Sequence, residues 1–161
     1  MNNAYLLTGG NEGNRLFNIK QALANIELFC GEIIQQSSIY ETAPWGKKDQ
    51  PAFLNQALQV QTSVDAVTLM SSLLEIERKM GRIRKEKYGP RIIDIDMLFF
   101  NDEILDLPGL AIPHPEIQYR RFVLEPLNEI APLLMHPVLH KNIHELLKEC
   151  PDTLEVKKIT G

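Results

Sequence analysis

Asp94 and Asp96 stand one residue apart in "GPRIIDIDMLFF" (89–100), a run apolar enough to be a buried strand. Residues two apart in a strand point to one face, with Cα atoms about 6–7 Å apart, so the two carboxylates project side by side. Without a cation they repel, and one is driven to hold its proton. A hard dication removes the conflict, and Mg²⁺ commonly takes one or two carboxylates plus substrate phosphates. A bare Asp-x-Asp is short and common, and a solvated pair at a strand mouth or a pair held by arginines would serve equally. Arg82, Arg84 and Arg91 lie just upstream, in "RIRKEKYGPR" (82–91). Alone this is an ordinary solvated basic run, but dications with arginines recur in phosphoryl transfer. A P-loop is excluded by the lack of GxxxxGK[ST], for which Gly9-Gly10-Asn11-Glu12-Gly13 is a poor substitute.

The elements that must position these groups can be read from periodicity. "AYLLT" (4–8) is a short strand ending at Gly9-Gly10. Leu16, Ile19, Leu23, Ile26 and Cys30 recur at helical steps, and Gly31 is placed to end that helix. "EIIQQSSIYET" (32–42) reads as one strand and 43–51 as a loop. In "FLNQALQVQT" (53–62), Leu54, Leu58 and Val60 share one face, and Phe53, Asn55, Ala57, Gln59 and Gln61 the other. Ser63 or Asp65 can cap a second helix along Met70, Leu73 and Met80, with Glu77 where a Leu would be expected and Gly81 at its end. The basic run 82–91 reads as a mobile loop, expected to act as a lid, and the aspartate strand follows, its row continued by Leu98 and Phe100. An Asn101-Asp102 turn, a strand at 103–107, a proline-broken helix at 112–132, a helix at 143–150 and a strand at 153–159 complete the chain.

The order β-α-β-β-α-β predicts an α+β fold: a ferredoxin-like core, with an antiparallel sheet carrying both helices on one face and C-terminal additions. At 161 residues, 44% apolar and 24% charged, the chain is expected to form a single domain over 1–161. A formal net charge of −4 argues against a general nucleic-acid binder. No signal peptide or membrane span is visible, and Cys30 and Cys150 lie in no CxxC, so a cytoplasmic protein with free thiols is expected. His140 and His144 have metal-ligand spacing but no third ligand, and read as surface residues.

Beyond these elements, "GGNEGNR", "YET", "QPAFLNQA", "EIERKMGRIRKEKYGPRIIDIDMLFF", "IPHP" and "RRFVLEPLNEIAP" occur in one order. In this the sequence resembles the 6-hydroxymethyl-7,8-dihydropterin pyrophosphokinases of folate biosynthesis. The resemblance spans nearly the whole chain and is densest from Tyr40 to Pro132. It implies a ferredoxin-like core and transfer of the terminal pyrophosphate of ATP to the pterin hydroxymethyl group, releasing AMP. It implies that Asp94 and Asp96 bind two Mg²⁺ ions on the triphosphate, about 4 Å apart, clamping the attacking and leaving oxygens.

The same resemblance assigns further residues. Phe53 and Phe122 stack the pterin, Asn55 hydrogen-bonds it, and Thr42 and Trp45 contact it. Glu77, Tyr88, His114 and Arg120 serve ATP. The basic run, not the resemblance, supplies Arg82 and Arg91 as catalytic groups brought onto the phosphates by lid closure, and Arg84 as an ATP contact. Read without the resemblance, lone aromatics are usually core, Trp45 an exposed loop residue, Glu77 a helix-edge partner of Arg78 or Lys79, and His114 structural. Gly10 and Tyr88 depart from residues the family often carries, Ser and Trp. The protein is expected to be a monomer acting on ATP and the pterin, without nucleic-acid or membrane partners. Two other classes fit parts of the pattern: another Asp-x-Asp nucleotidyltransferase, which would release pyrophosphate, and a non-catalytic ferredoxin-like module. An RNA-binding version of the latter would need aromatic strands and a basic balance that are lacking.

Overall fold

The computed structural model describes residues 1–44, 49–81 and 91–159. Five strands form the spine of one antiparallel sheet. In chain order these are β1 (Asn2–Gly10), β2 (Glu32–Gln36), β3 (Tyr40–Thr42), β4 (Phe53–Thr62) and β5 (Asp94–Phe100), with α1 (Arg15–Phe29) and α2 (Ala66–Lys79) between them. A small hairpin, β6 (Leu105–Leu107) with β7 (Leu110–Ile112), follows. Then come a 3-10 turn (Ile117–Tyr119), α3 (Arg121–Ile130), α4 (Ile143–Glu149) and β8 (Val156–Lys158). The spatial order is β5-β1-β4-β3-β8, with β2 also pairing β4. The chain is therefore a mixed α/β fold with an antiparallel sheet and four α-helices among the described residues.

Alternation along the strands divides the apolar residues between two cores. Leu6, Leu54, Leu58, Val60, Ile95 and Met97 pack against Ile19, Ile26, Leu69 and Leu73 of α1 and α2. Leu7, Ala57, Leu98 and Phe99 pack against Leu124 and Leu127 of α3 and Ile143 and Leu146 of α4. Asn14 caps α1 by accepting from the Phe17 N–H, and Asp65 caps α2 through Thr68. Gly81 follows α2 at φ +89°. Leu16 is exposed, and Ala22 joins Ile19 and Ile26 on the buried line of α1.

Three expectations need correction. The segment 32–42 is two strands, because Ser37 leaves the regular ladder: its Oγ accepts the Ala57 N–H, and its carbonyl accepts from Gln56 Nε2. The segment 112–132 is not one broken helix. Ile112 ends β7, the 3-10 turn intervenes, and α3 starts only at Arg121, as Pro113 and Pro115 remove two helical donors. Finally, Phe100 does not continue the aspartate row. Leu6 pairs with Met97 but Tyr5 with Phe99, so Leu98 is the extra residue of a bulge. Beyond the bulge the faces exchange: Phe99 joins the α3 core and Phe100 the α1/α2 core.

Candidate active site

The register of three strands builds the floor of the site. Gly9 of central β1 pairs with Asn55 on one side and Asp94 on the other. Tyr40 continues the row beyond Asn55. The next row runs Ala57, Leu7, Asp96. Directly paired residues share a face, so these side chains emerge on the α3 side. Neighbouring strands are about 4.8 Å apart, which puts the Asn55 amide and the Asp94 carboxylate on a floor roughly 10 Å wide. Gly9 keeps that floor open, since a Cβ there would lie 2.1 Å from Asn55 Nδ2. Asn55 Nδ2 instead donates to the Thr8 carbonyl at 3.3 Å.

At the β5 end of the row the electrostatics are dominated by the two carboxylates. Arg91 Nη1 lies 3.0 Å from Asp94 Oδ2. Burial pushes the Asp96 carboxyl well above the usual carboxylate range. Asp94 and Glu77 push it the same way, and Arg120 and Arg91 offset only part of this. Two oxygen donors on one face, one of them reluctant to ionise beside the other, are the donor set of a hard dication. No group of three or more His, Cys, Asp or Glu side chains forms a metal cage among the described residues. Such an ion would complete its coordination from substrate oxygens and water.

β5 is an edge strand, and two expected nucleotide residues cover its outer edge. Glu77, buried on α2, accepts the Ile95 N–H at 2.6 Å. The Leu98 carbonyl accepts the His114 N–H at 2.9 Å. Glu77 therefore turns to the strand, while Arg78 pairs with Glu75. His114 Nδ1 accepts from the Glu116 N–H at 3.2 Å, so the neutral ring carries its proton on Nε2. Burial, with the Arg120 charge, holds this imidazole below its ordinary pKa.

The roof comes from the start of α3. The Arg120 guanidinium carbon lies 5.6 Å from the centroid of the half-buried Phe122 ring. Phe53 opens β4 opposite Thr42. Three buried polar atoms here have no hydrogen-bond partner among the described residues: Thr42 Oγ1, Asn55 Oδ1 and Arg120 Nε. Buried polar groups are normally satisfied, so each of these three marks a place for something else to complete; Gln118 Oε1 and Asn128 Oδ1 also lack a partner among the described residues.

The structure thus gathers Arg91, Asp94, Asp96, Glu77, His114 and Arg120 around β5, and Thr42, Phe53, Asn55 and Phe122 around β3, β4 and α3. Trp45, Arg82, Arg84 and Tyr88, with residues 82–90 of the expected lid, lie outside the described residues. Sequence reasoning missed Gly9 and Asn11. A Gly-Gly pair at the end of an apolar strand was the available signal for close backbone approach. Gly10 shows the same constraint, because a Cβ there would meet the Ile92 carbonyl oxygen at 2.3 Å.

A sequence model of the 7,8-dihydro-6-hydroxymethylpterin-pyrophosphokinase family matches residues 5–132. A 2-amino-4-hydroxy-6-hydroxymethyldihydropteridine pyrophosphokinase of Synechocystis is 42% identical over 142 residues, 88% of this chain and 72% of that protein. Its counterpart from Aquifex aeolicus is 38% identical over 149 residues, 92% of each chain. The chain also matches the folic acid synthesis protein fol1 of Schizosaccharomyces pombe at 38% identity, but spans only 20% of that protein's length. Among solved structures, wild-type Plasmodium falciparum HPPK-DHPS with pterin and p-hydroxybenzoate superposes with a TM-score of 0.76 at 23% identity. The match covers 92% of this chain and 43% of that one.

Proposed function

The chain belongs to the 7,8-dihydro-6-hydroxymethylpterin-pyrophosphokinase family, and from that premise we propose how its own residues carry out the transfer of pyrophosphate from ATP to 6-hydroxymethyl-7,8-dihydropterin. The observation that carries the reading is the row Asn55–Gly9–Asp94, which puts the Asn55 amide and the Asp94 carboxylate on one floor and so supports a pterin end and a phosphate end to the site. The pterin lies between Phe53 and Phe122 and completes the bonding of Asn55 Oδ1, with Thr42 and, from sequence alone, Trp45 beside it. The triphosphate lies toward β5. Arg91 and Arg120 meet its charge, and Glu77 and His114 border the nucleotide. Arg82, Arg84 and Tyr88 carry the same assignment on sequence alone.

In this arrangement the hydroxymethyl oxygen attacks the β-phosphorus and its proton passes to solvent. The new O–P bond forms as the bond from the β-phosphorus to the oxygen bridging to the α-phosphate breaks, and AMP departs with that oxygen. Asp94 and Asp96 would hold two Mg²⁺ ions, whose chemistry is Lewis-acid polarisation of the phosphoryl oxygens. Arg91 is oriented by Asp94 before substrate arrives, so its charge costs little reorganisation when phosphate charge shifts.

The strand order β5-β1-β4-β3, with α1 and α2 on one face, supports a ferredoxin-like core with C-terminal additions. We take residues 1–161 as one pyrophosphokinase domain, a cytoplasmic monomer acting on free small molecules rather than on nucleic acid or membrane. Chromatography of a reaction with ATP, Mg²⁺ and the pterin tests the chemistry. AMP is the expected pterin-dependent nucleotide product. ADP would mean phosphoryl transfer, and free pyrophosphate would favour a nucleotidyltransferase.

A further inference from the structure

Asn11 lies just beyond the end of β1 and is 1% exposed. β1 is the central strand of the site, with β4 on one side and β5 on the other. Asn11 reaches the approach to each neighbour. Toward β5 it makes a reciprocal pair with Arg91: the Asn11 N–H donates to the Arg91 carbonyl at 3.0 Å, and the Arg91 N–H donates to Asn11 Oδ1 at 3.0 Å. Toward β4, Asn11 Nδ2 donates to Gln50 Oε1 at 2.8 Å and to the Pro51 carbonyl at 2.9 Å. One buried amide thus uses both N–H donors and its oxygen on two segments remote in sequence. Glu12 adds a second N–H to the Arg91 carbonyl at 3.2 Å.

Gly10 lets this contact be close. A Cβ there would stand 2.3 Å from the Ile92 oxygen and 3.2 Å from the Arg91 oxygen, so a side chain at this position would require the 91–92 backbone to shift. Gly10 admits the segment and Asn11 fastens it. The fastened residues lead directly into the site. Arg91 carries the guanidinium on Asp94, three residues on, and Pro51 is two residues before Phe53.

We propose that Asn11 is a positioning residue that sets the two halves of the site from one point: the Arg91 backbone on the phosphate side and the entry of β4 on the pterin side. Its oxygen serves the first half and its NH₂ group the second. A small displacement at either end moves a reacting or recognising group off its mark, and misplacement by about 1 Å can cost as much as 100-fold in rate. The inference rests on the roles proposed above for Arg91 and Phe53.

The division of labour can be tested with Asn11→Asp and Asn11→Ala. Asp keeps an acceptor for the Arg91 N–H but turns the two donors into an acceptor facing Gln50 and Pro51. Ala removes both. Three quantities are measured on folded protein: the Kd for the pterin, the Kd for a non-hydrolysable ATP analogue with Mg²⁺, and kcat. Asn11→Asp should weaken pterin binding about tenfold while kcat stays within about threefold. Asn11→Ala should weaken pterin binding to the same extent and also lower kcat about tenfold or more. A purely structural role would lower Tm in both and leave the three quantities unchanged, which would overturn the proposal. If Asn11→Ala does not fold, Asn11→Asp decides, and an unchanged pterin Kd overturns it. Arg91→Ala and Phe53→Ala are run alongside. If these are impaired and the Asn11 variants are not, the positioning role is wrong; if these too behave as wild type, the site assignment itself is wrong.

Discussion

Tyr40 and Thr42 stand two residues apart on the same face of β3, yet their hydroxyl groups meet opposite fates. The Tyr40 hydroxyl donates to Glu129 of α3 at 2.7 Å, and Ser38 gives the same carboxylate its N–H and Oγ–H at 3.0–3.1 Å. The Thr42 hydroxyl is buried without a partner among the described residues, as are Asn55 Oδ1 and Arg120 Nε. One polar cluster is closed by the protein itself, and the other is left open. An unmade buried hydrogen bond costs about 1–3 kcal/mol, so the open cluster is a standing cost to the fold. Such a cost is tolerable where a ligand repays it. The contrast predicts that changes in the open cluster and its carboxylates harm function with little loss of stability, and that changes in the closed cluster do the reverse.

The largest effect is expected at Asp96. Asp96→Asn should lower turnover roughly a hundredfold or more, the scale of a major electrostatic contributor. Stability should not fall, because burial, Asp94 and Glu77 all disfavour the ionised form. The sign can be checked without Mg²⁺. A carboxyl whose pKa is raised on folding loses its proton first in the unfolded chain, so wild-type stability should fall as pH rises above the ordinary aspartate value of 3.8. The Asp96→Asn variant, with no proton to lose there, should lack that dependence. Asp94→Asn should cost comparable turnover, while also releasing Arg91. Near-normal kcat in either variant, measured with saturating ATP and pterin, would make the pair structural.

Asn55→Ala comes next. It removes the amide whose oxygen has no partner among the described residues, and should weaken pterin binding about ten- to a hundredfold, the worth of roughly 1–3 kcal/mol. Binding of an ATP analogue should be unchanged. Denaturant titration should show only a small stability loss, since the one bond given up is the long contact to Thr8. Equal losses for pterin and nucleotide would place Asn55 in general packing instead of the open cluster.

Phe122→Ala should act in the same direction more weakly, as one stacking face is worth about 1 kcal/mol beyond simple burial. Phe122 also touches the α3 core, so some stability goes with it. Calorimetric titration with the nucleotide analogue present separates the two: the pterin Kd should rise several-fold more than that of the nucleotide.

How much of this contrast could be read from sequence follows from its physics. Period-two alternation in β5 put Asp94 and Asp96 on one face, away from Ile95 and Met97. It failed at Phe100 because a bulge is one residue of backbone irregularity with no side-chain signature. Alternation in 53–62 assigns Leu54, Leu58 and Val60 to one face and Ala57 to the other, as the two cores have them. Glu77 stood out because it broke an apolar line, but its partner, a backbone N–H on an edge strand, depends on sheet order. The row Asn55–Gly9–Asp94 was not legible, since cross-strand register is set by pairing between segments far apart in the chain. Asn11 falls within a glycine run that matches no phosphate-binding motif, so nothing in the sequence marks it. Glu129 carries no signal of its own in the sequence, because its partners are some 90 positions away.

The smallest effect, and the one that tests the closed cluster, is at Glu129. Burial alone would raise this carboxyl. Hydrogen bonds from Tyr40 and from the Ser38 N–H and Oγ–H, with Lys158 nearby, outweigh it and leave the pKa below the ordinary glutamate value of 4.5. A carboxyl lowered on folding contributes stability above its unfolded pKa, and that contribution disappears as pH falls through the folded value. Wild-type protein should therefore lose stability as pH drops below about 4.5, and Glu129→Gln should flatten that limb of the curve. At pH 7 the variant should be less stable, but by under about 1 kcal/mol, because Glu129 is exposed and the surrounding water screens its charge. Pterin and nucleotide affinities should match wild type: the cluster ties α3 to the start of β3, two helical turns from Phe122, and leaves no atom for a ligand to complete. Urea titrations at several pH values, paired with pterin binding at pH 7, distinguish the outcomes. A lost pterin affinity with unchanged stability would place Glu129 in the open cluster and erase the division between the two.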